Sequence, residues 1–119
     1  MSYTYLRGDD PEIEVFMGTF RKIRRALGTS AFGVNEVRLP AGAAGREHDE
    51  TDTGHDEVYA IIAGSGAFQV DGEQIEVRPG DYLRVEPGTV RQPVARPDGL
   101  RFLAIGAKPQ PAYDGRESL

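Results

Sequence analysis

The sequence predicts an all-β sandwich or barrel, and three observations carry that expectation. Fifteen glycines and eight prolines in 119 residues keep regular elements short and turns frequent, which suits short strands better than a helical bundle. From Ser30 onward, turn signals recur at Pro40, Gly45, Gly64, Asp71-Gly72, Pro79-Gly80, Pro87-Gly88 and Asp98-Gly99, with strand-length apolar runs between them. One interval reads as a hairpin: residues 67–70 face residues 74–77 across Asp71-Gly72. Asp-Gly supplies the two positive-φ positions of a type I′ turn, and Phe68 and Val70 with Ile75 and Val77 keep one face apolar.

In chain order, residues 1–28 form an N-terminal extension, 29–107 the barrel and 108–119 a tail, all within one domain at 13.0 kDa. In the extension, Phe20, Ile23 and Leu27 fall at helical spacing with Gly28 placed to end a helix, although a strand fits the same residues equally well. Residues 33–39 alternate imperfectly through Val34, Val37 and Leu39, and residues 57–63 form a nearly continuous apolar run. Tyr82 to Val85 and Leu100 to Ile105 complete the strands. The tail, with Pro109, Pro111 and Gly115, lacks apolar periodicity and is expected to wrap the surface or fray.

Composition excludes several classes of function. There are no cysteines, so disulfides, thiolate metal sites and cysteine nucleophiles drop out, and a cytoplasmic location is the expectation. The first ten residues have no apolar signal core, and no window approaches the roughly 20 apolar residues of a membrane span. A net charge of −5 repels phosphate backbones, so neither nucleic acid nor membrane is expected as a partner. The basic run Arg21-Lys22-Ile23-Arg24-Arg25 reads as a solvated strand or helix face rather than an anion patch. Gly64-Ser65-Gly66 lacks the third glycine and following helix of a nucleotide loop and reads as a turn. Neither Ser30 nor Ser65 sits in a nucleophile elbow.

The chemistry concentrates in the segment from His48 to Glu57, which sets two imidazoles and several carboxylates ahead of an apolar strand. His48 with Glu50, and His55 with Glu57, lie two apart, so each pair shares one face of extended backbone and offers nitrogen and oxygen donors to a divalent ion. The plainer alternative is an acidic loop standing in water. Glu57 argues against it, because a carboxylate opening an apolar run needs a partner. Arg91 is the natural one: a guanidinium cannot ligate a metal, but its planar fork holds a carboxylate bidentately. It either pairs with Glu57 or grips an acidic ligand.

At these two blocks the chain resembles the cupin superfamily, specifically small single-domain cupins of the cupin 2 type. Glu57 and Gly64, separated by six residues, match the second half of the first cupin motif, and His48-Asp49-Glu50 resembles its paired histidines with glutamate in second place. His55 is an alternative spatial substitute for the missing imidazole. Gly80 and Gly88 match the second motif, whose histidine position is Arg91 and whose asparagine position is Ala95. The resemblance spans residues 33–106 and implies a double-stranded β-helix, the jelly-roll barrel, with a pocket between its sheets. It further implies that His48, Glu50, His55, Glu57 and Arg91 supply the pocket's polar groups, joined by Tyr59, which shares the strand parity of Glu57. Cupin barrels host isomerases, dioxygenases, epimerases, sensor domains and storage proteins. Two function classes stand open. One is a metal-free module binding a small polar or acidic molecule through Arg91, Tyr59, Glu57 and His55. The other is a small-molecule enzyme with a divalent ion (Zn, Mn, Fe or Ni) on His48, Glu50, His55 and Glu57. A two-fold homodimer is also expected, to cover an edge strand and the apolar Ile13, Val15, Phe16 and Phe20.

Overall fold

A computed structural model describes residues 2–110. Its elements in chain order are β1 (Val15–Phe16), β2 (Phe20–Arg21), α1 (Ile23–Leu27), β3 (Gly33–Leu39), β4 (Asp56–Val70), β5 (Glu73–Val77), β6 (Tyr82–Val85) and β7 (Arg91–Ala107). Every strand pair is antiparallel, and the hydrogen-bonded order is β1-β2-β3-β7-β4-β5, with β6 pairing β4.

β4 and β7 are long because each serves two sheets. Residues 56–64 of β4 pair with 100–107 of β7, flanked by β6 on one side and β3 on the other. Residues 66–70 of β4 then pair with 91–95 of β7 and with β5. Register shifts separate the two halves between Ile61 and Ala63 and between Gly64 and Gly66, and bulges of this kind bend a sheet. The corner needs glycine: a Cβ on Gly64 would stand 2.1 Å from the Gly99 carbonyl oxygen, and one on Gly66 2.5 Å from that of Val94. Folded over at this corner, the two halves enclose a core in which Tyr59 of the first stacks on Phe68 of the second at 4.8 Å and Phe102 meets both rings edge-on. This is the double-stranded β-helix implied by the sequence. Its all-β class follows the turn spacing, and Asp71 (φ 49°) and Gly72 (φ 85°) make the positive-φ hairpin turn.

Three local expectations change. Gly64-Ser65-Gly66 is a bulge inside β4 rather than a turn between strands. β7 begins at Arg91 rather than Leu100, running through Pro93 and Pro97. Proline is tolerated at 93 because the Pro93 carbonyl accepts from Gly45 N–H at 2.8 Å, which puts its nitrogen on the same side, facing the irregular 43–48 segment and away from the β4 ladder. Phe20, Ile23 and Leu27 do not share one helix: Phe20 lies in β2, and only residues from Ile23 on are helical, ended by Gly28 in the left-handed region with its N–H bonded to Arg24 O at 2.8 Å. The basic run lies along β2 and α1 with Arg24 and Arg25 exposed, as expected of a solvated face; Arg21 pairs with Glu36, and Lys22 and Arg25 with Glu14. The expected surface course of the tail falls largely on residues 111–119, outside the described residues. Among the described residues, no helix is long and apolar enough to cross a membrane.

Candidate functional site

Between the sheets lies a cavity of about 1020 Å³. The alternation of β3, β7 and β4 builds one of its walls in cross-strand rows. Gly33, Gly106 and Glu57 are register partners in the first row, Asn35, Ala104 and Tyr59 in the second, and Val37 and Phe102 in the third. Glycine matters in the first row because a Cβ on Gly106 would approach Glu57 Cγ to 3.1 Å and hinder its side chain. The segment before β4 faces this wall and carries His48, Glu50, Thr53 and His55 into the same cavity.

Each polar group is fixed by backbone or by a neighbour. His48 exchanges backbone hydrogen bonds with Arg91 at 3.0 and 2.9 Å, pinning it beside the start of β7. Glu50 donates its N–H to Pro87 O at 2.7 Å, and its carboxylate accepts from the Thr53 hydroxyl at 2.9 Å. His48 Nε2 then lies 3.1 Å from Glu50 Oε2 and 4.0 Å from Glu57 Oε1. The same Glu57 Oε1 accepts from the Tyr59 hydroxyl, and Arg91 Nη2 lies 3.6 Å from it. Burial, and after it the negative charge of Glu57, push the Tyr59 pKa far above its ordinary value, so Tyr59 stays a neutral hydrogen-bond donor across the working pH range.

Arg91 is the most enclosed member. Its side chain has no exposed surface, Nη1 donates to Thr89 O at 2.9 Å and Nη2 to Val85 O at 3.4 Å. Its Nε has no hydrogen-bond partner among the described residues. Arg91 therefore meets Glu57 directly and from behind; the cavity wall is Glu57, not the guanidinium.

His48, Glu50 and Glu57 form the group that suits an ion, with one ligand atom from each lying within 4.8 Å of the others. His55 lines the cavity but stands outside that group. One imidazole nitrogen and two carboxylates are chemically apt for a divalent ion of hard or borderline character. Glu57 Oε1, however, is already engaged by Tyr59 and Arg91, so a dication at this pole would lie near a fixed buried cation. The set fits an ion held weakly, through His48, Glu50 and Glu57.

Sequence reasoning found the pole but missed its surroundings. Thr53, which orients Glu50, was within reach as a hydroxyl residue three positions after its partner. Asn35 on the wall, and Phe16, Met17 and Phe20 at the mouth, gave no such signal, because the β3–β7 register sets the first and the pairing of β1 with β2 and of β2 with β3 the others.

Comparison with known proteins agrees with this architecture. A cupin protein from Bacteroides fragilis superposes with a TM-score of 0.76 at 29% identity, covering 97% of this chain and 91% of its own. A sugar phosphate isomerase of the cupin superfamily from Silicibacter pomeroyi superposes with a TM-score of 0.66 at 29% identity over 76% of this chain, which spans 59% of that protein's length. A predicted oxalate decarboxylase from Thermotoga maritima, at 22% identity and a TM-score of 0.62 over 76% of this chain and 79% of its own, shares the fold. No curated protein matches the chain. Residues 35–106 match the Cupin_2 family, described as a cupin domain, and the chain belongs to that family.

Proposed function

We propose that the chain binds a small polar molecule in this cavity, with the ligand's hydroxyl or amine protons meeting Glu50, Glu57 and His48. The observation that carries this reading is the convergence of those three side chains on one end of a cavity whose remaining wall is largely apolar, an arrangement in which a few polar groups fix orientation. Arg91 acts through Glu57, neutralising it from behind, while Tyr59 and His55 complete the polar lining. An acidic group on the ligand would find Arg24, Arg46 and Lys108 on the cavity wall rather than Arg91. The likeness to a sugar phosphate isomerase supports a polyhydroxylated ligand.

A second reading, a divalent-metal-dependent enzyme of isomerase or dioxygenase type, is favoured by the three clustered donor atoms. In it, His48, Glu50 and Glu57 would hold the ion, and the chemistry it would supply there is Lewis acidity toward a ligand oxygen. The chain's own part is to fix those donors through Thr53, Tyr59 and Arg91.

Titrating a panel of polyols and sugar phosphates into isotopically labelled protein tests the first reading. Amide signals between His48 and Glu57 should move, and Glu50→Gln should weaken binding at least threefold. If the whole panel leaves those signals in place, this pole is not a polyol site.

A further inference from the structure

The cavity is larger than its polar end requires. At about 1020 Å³ it stands at the top of the range that holds drug-sized ligands, roughly 300–1,000 Å³. Its wall also changes character along the strands. The row at Gly33, Gly106 and Glu57 ends in a carboxylate; the row at Val37 and Phe102 is apolar. Four residue steps along β3 separate them, or about 13 Å at the rise of an extended strand.

The apolar row does not end in the core. Phe20 is the register partner of Val37, and Phe16 of Phe20, so the β1–β2 hairpin carries the row outward to the sheet edge. Phe102 is buried and Phe20 half-buried, whereas Phe16 is 54% and Met17 78% exposed, and all four line the one cavity. Met17 occupies the left-handed region at φ 54° beside Gly18 at φ 73°, a conformation unfavourable for a side chain without a local polar bond. The tight turn nevertheless keeps a large apolar residue there, at the mouth. Exposed apolar surface contiguous with a binding cavity is what a ligand's own apolar surface covers.

Resting on the proposed polar pole, we infer that the ligand is two-ended, with a ring-bearing or otherwise bulky apolar arm that leaves the pole along the Val37–Phe102 row and packs against Phe16, Met17 and Phe20. A bare sugar or sugar phosphate would leave that arm of the cavity to water.

Benzyl alcohol, which carries the ring without a polyol head, tests the arm apart from the pole. Titrated into labelled protein, it should move the amide signals of Phe16, Phe20 and Val37. Phe16→Ser should weaken that binding at least threefold, while Phe16→Leu, which keeps apolar surface, should retain it. A dispersed spectrum for Phe16→Ser, with changes confined to the hairpin and its neighbours, shows that the fold persists. Benzyl alcohol shifts confined to other surfaces, or an affinity indifferent to Phe16→Ser, would overturn the inference. The polyol titration bears on the pole alone, so the two readings fail separately.

Discussion

At the scale of single residues, the molecule turns on Arg91. A guanidinium with no exposed surface, one carboxylate at 3.6 Å and two backbone carbonyls is costly to desolvate, and its favourable contribution depends on its partners. Arg91→Ala should therefore destabilise the fold by about 3 kcal/mol, since it leaves Glu57 poorly compensated and opens a void. Adding Glu57→Gln should recover part of that loss, and thermal melts of the two single variants and the double close the cycle. Strictly additive losses would mean that the pair is not coupled. This pairing was legible in the sequence, because a carboxylate opening an apolar run calls for a buried cation and Arg91 stood where a cupin histidine would. The depth of Arg91 behind Glu57 was not, since it depends on carbonyls of Val85 and Thr89 that no side-chain pattern announces.

At the scale of elements, the outer face of the sheet carries a device as large as the site. Glu36 on β3 is 5% exposed and takes hydrogen bonds from Arg21 of β2 at 2.8 Å, Arg38 of its own strand at 3.0 Å and Arg101 of β7 at 2.5 Å. Burial alone would raise its pKa; Arg101 and Arg38 more than offset that and hold it below the ordinary carboxylate value. A carboxyl whose folded pKa is depressed stabilises the protein above its unfolded pKa, and that contribution is lost as pH falls through the folded value. Stability should therefore decline as pH drops below about 4.5, the ordinary value. Glu36→Gln should lower the melting temperature at neutral pH and flatten this acid limb; an acid limb as steep as the wild type's would assign it to other groups. Three arginines from three strands could not be read from spacing, because they depend on the register of β2 and β7 against β3. The same limit explains β7: its prolines read as breaks until the irregular 43–48 segment supplies an edge where a missing N–H costs nothing.

At the scale of the whole molecule, β1 is a sheet edge among the described residues, its two residues exposed, and such edges invite pairing with another chain. The expected outcome is a two-fold homodimer built by strand addition there, which uses the edge backbone and leaves the cavity-facing side of the hairpin free. Light scattering at tens of micromolar should give twice the 13.0 kDa chain mass; the single mass would remove this assembly. Fold class and the polar pole came through from sequence because both follow from turn spacing and local residue chemistry. The cavity's size and its apolar mouth did not, being products of how two bent strands fold over each other.

On the proposed reading this pole binds its ligand through protein groups, with Arg91 as the resident cation beside Glu57 in place of a tightly held ion. Protein purified without chelator or affinity nickel should therefore carry well under one transition-metal ion per chain by elemental analysis, with any trace lost on His48→Ala. About one ion per chain, retained through extensive dialysis, would overturn the metal-free pole.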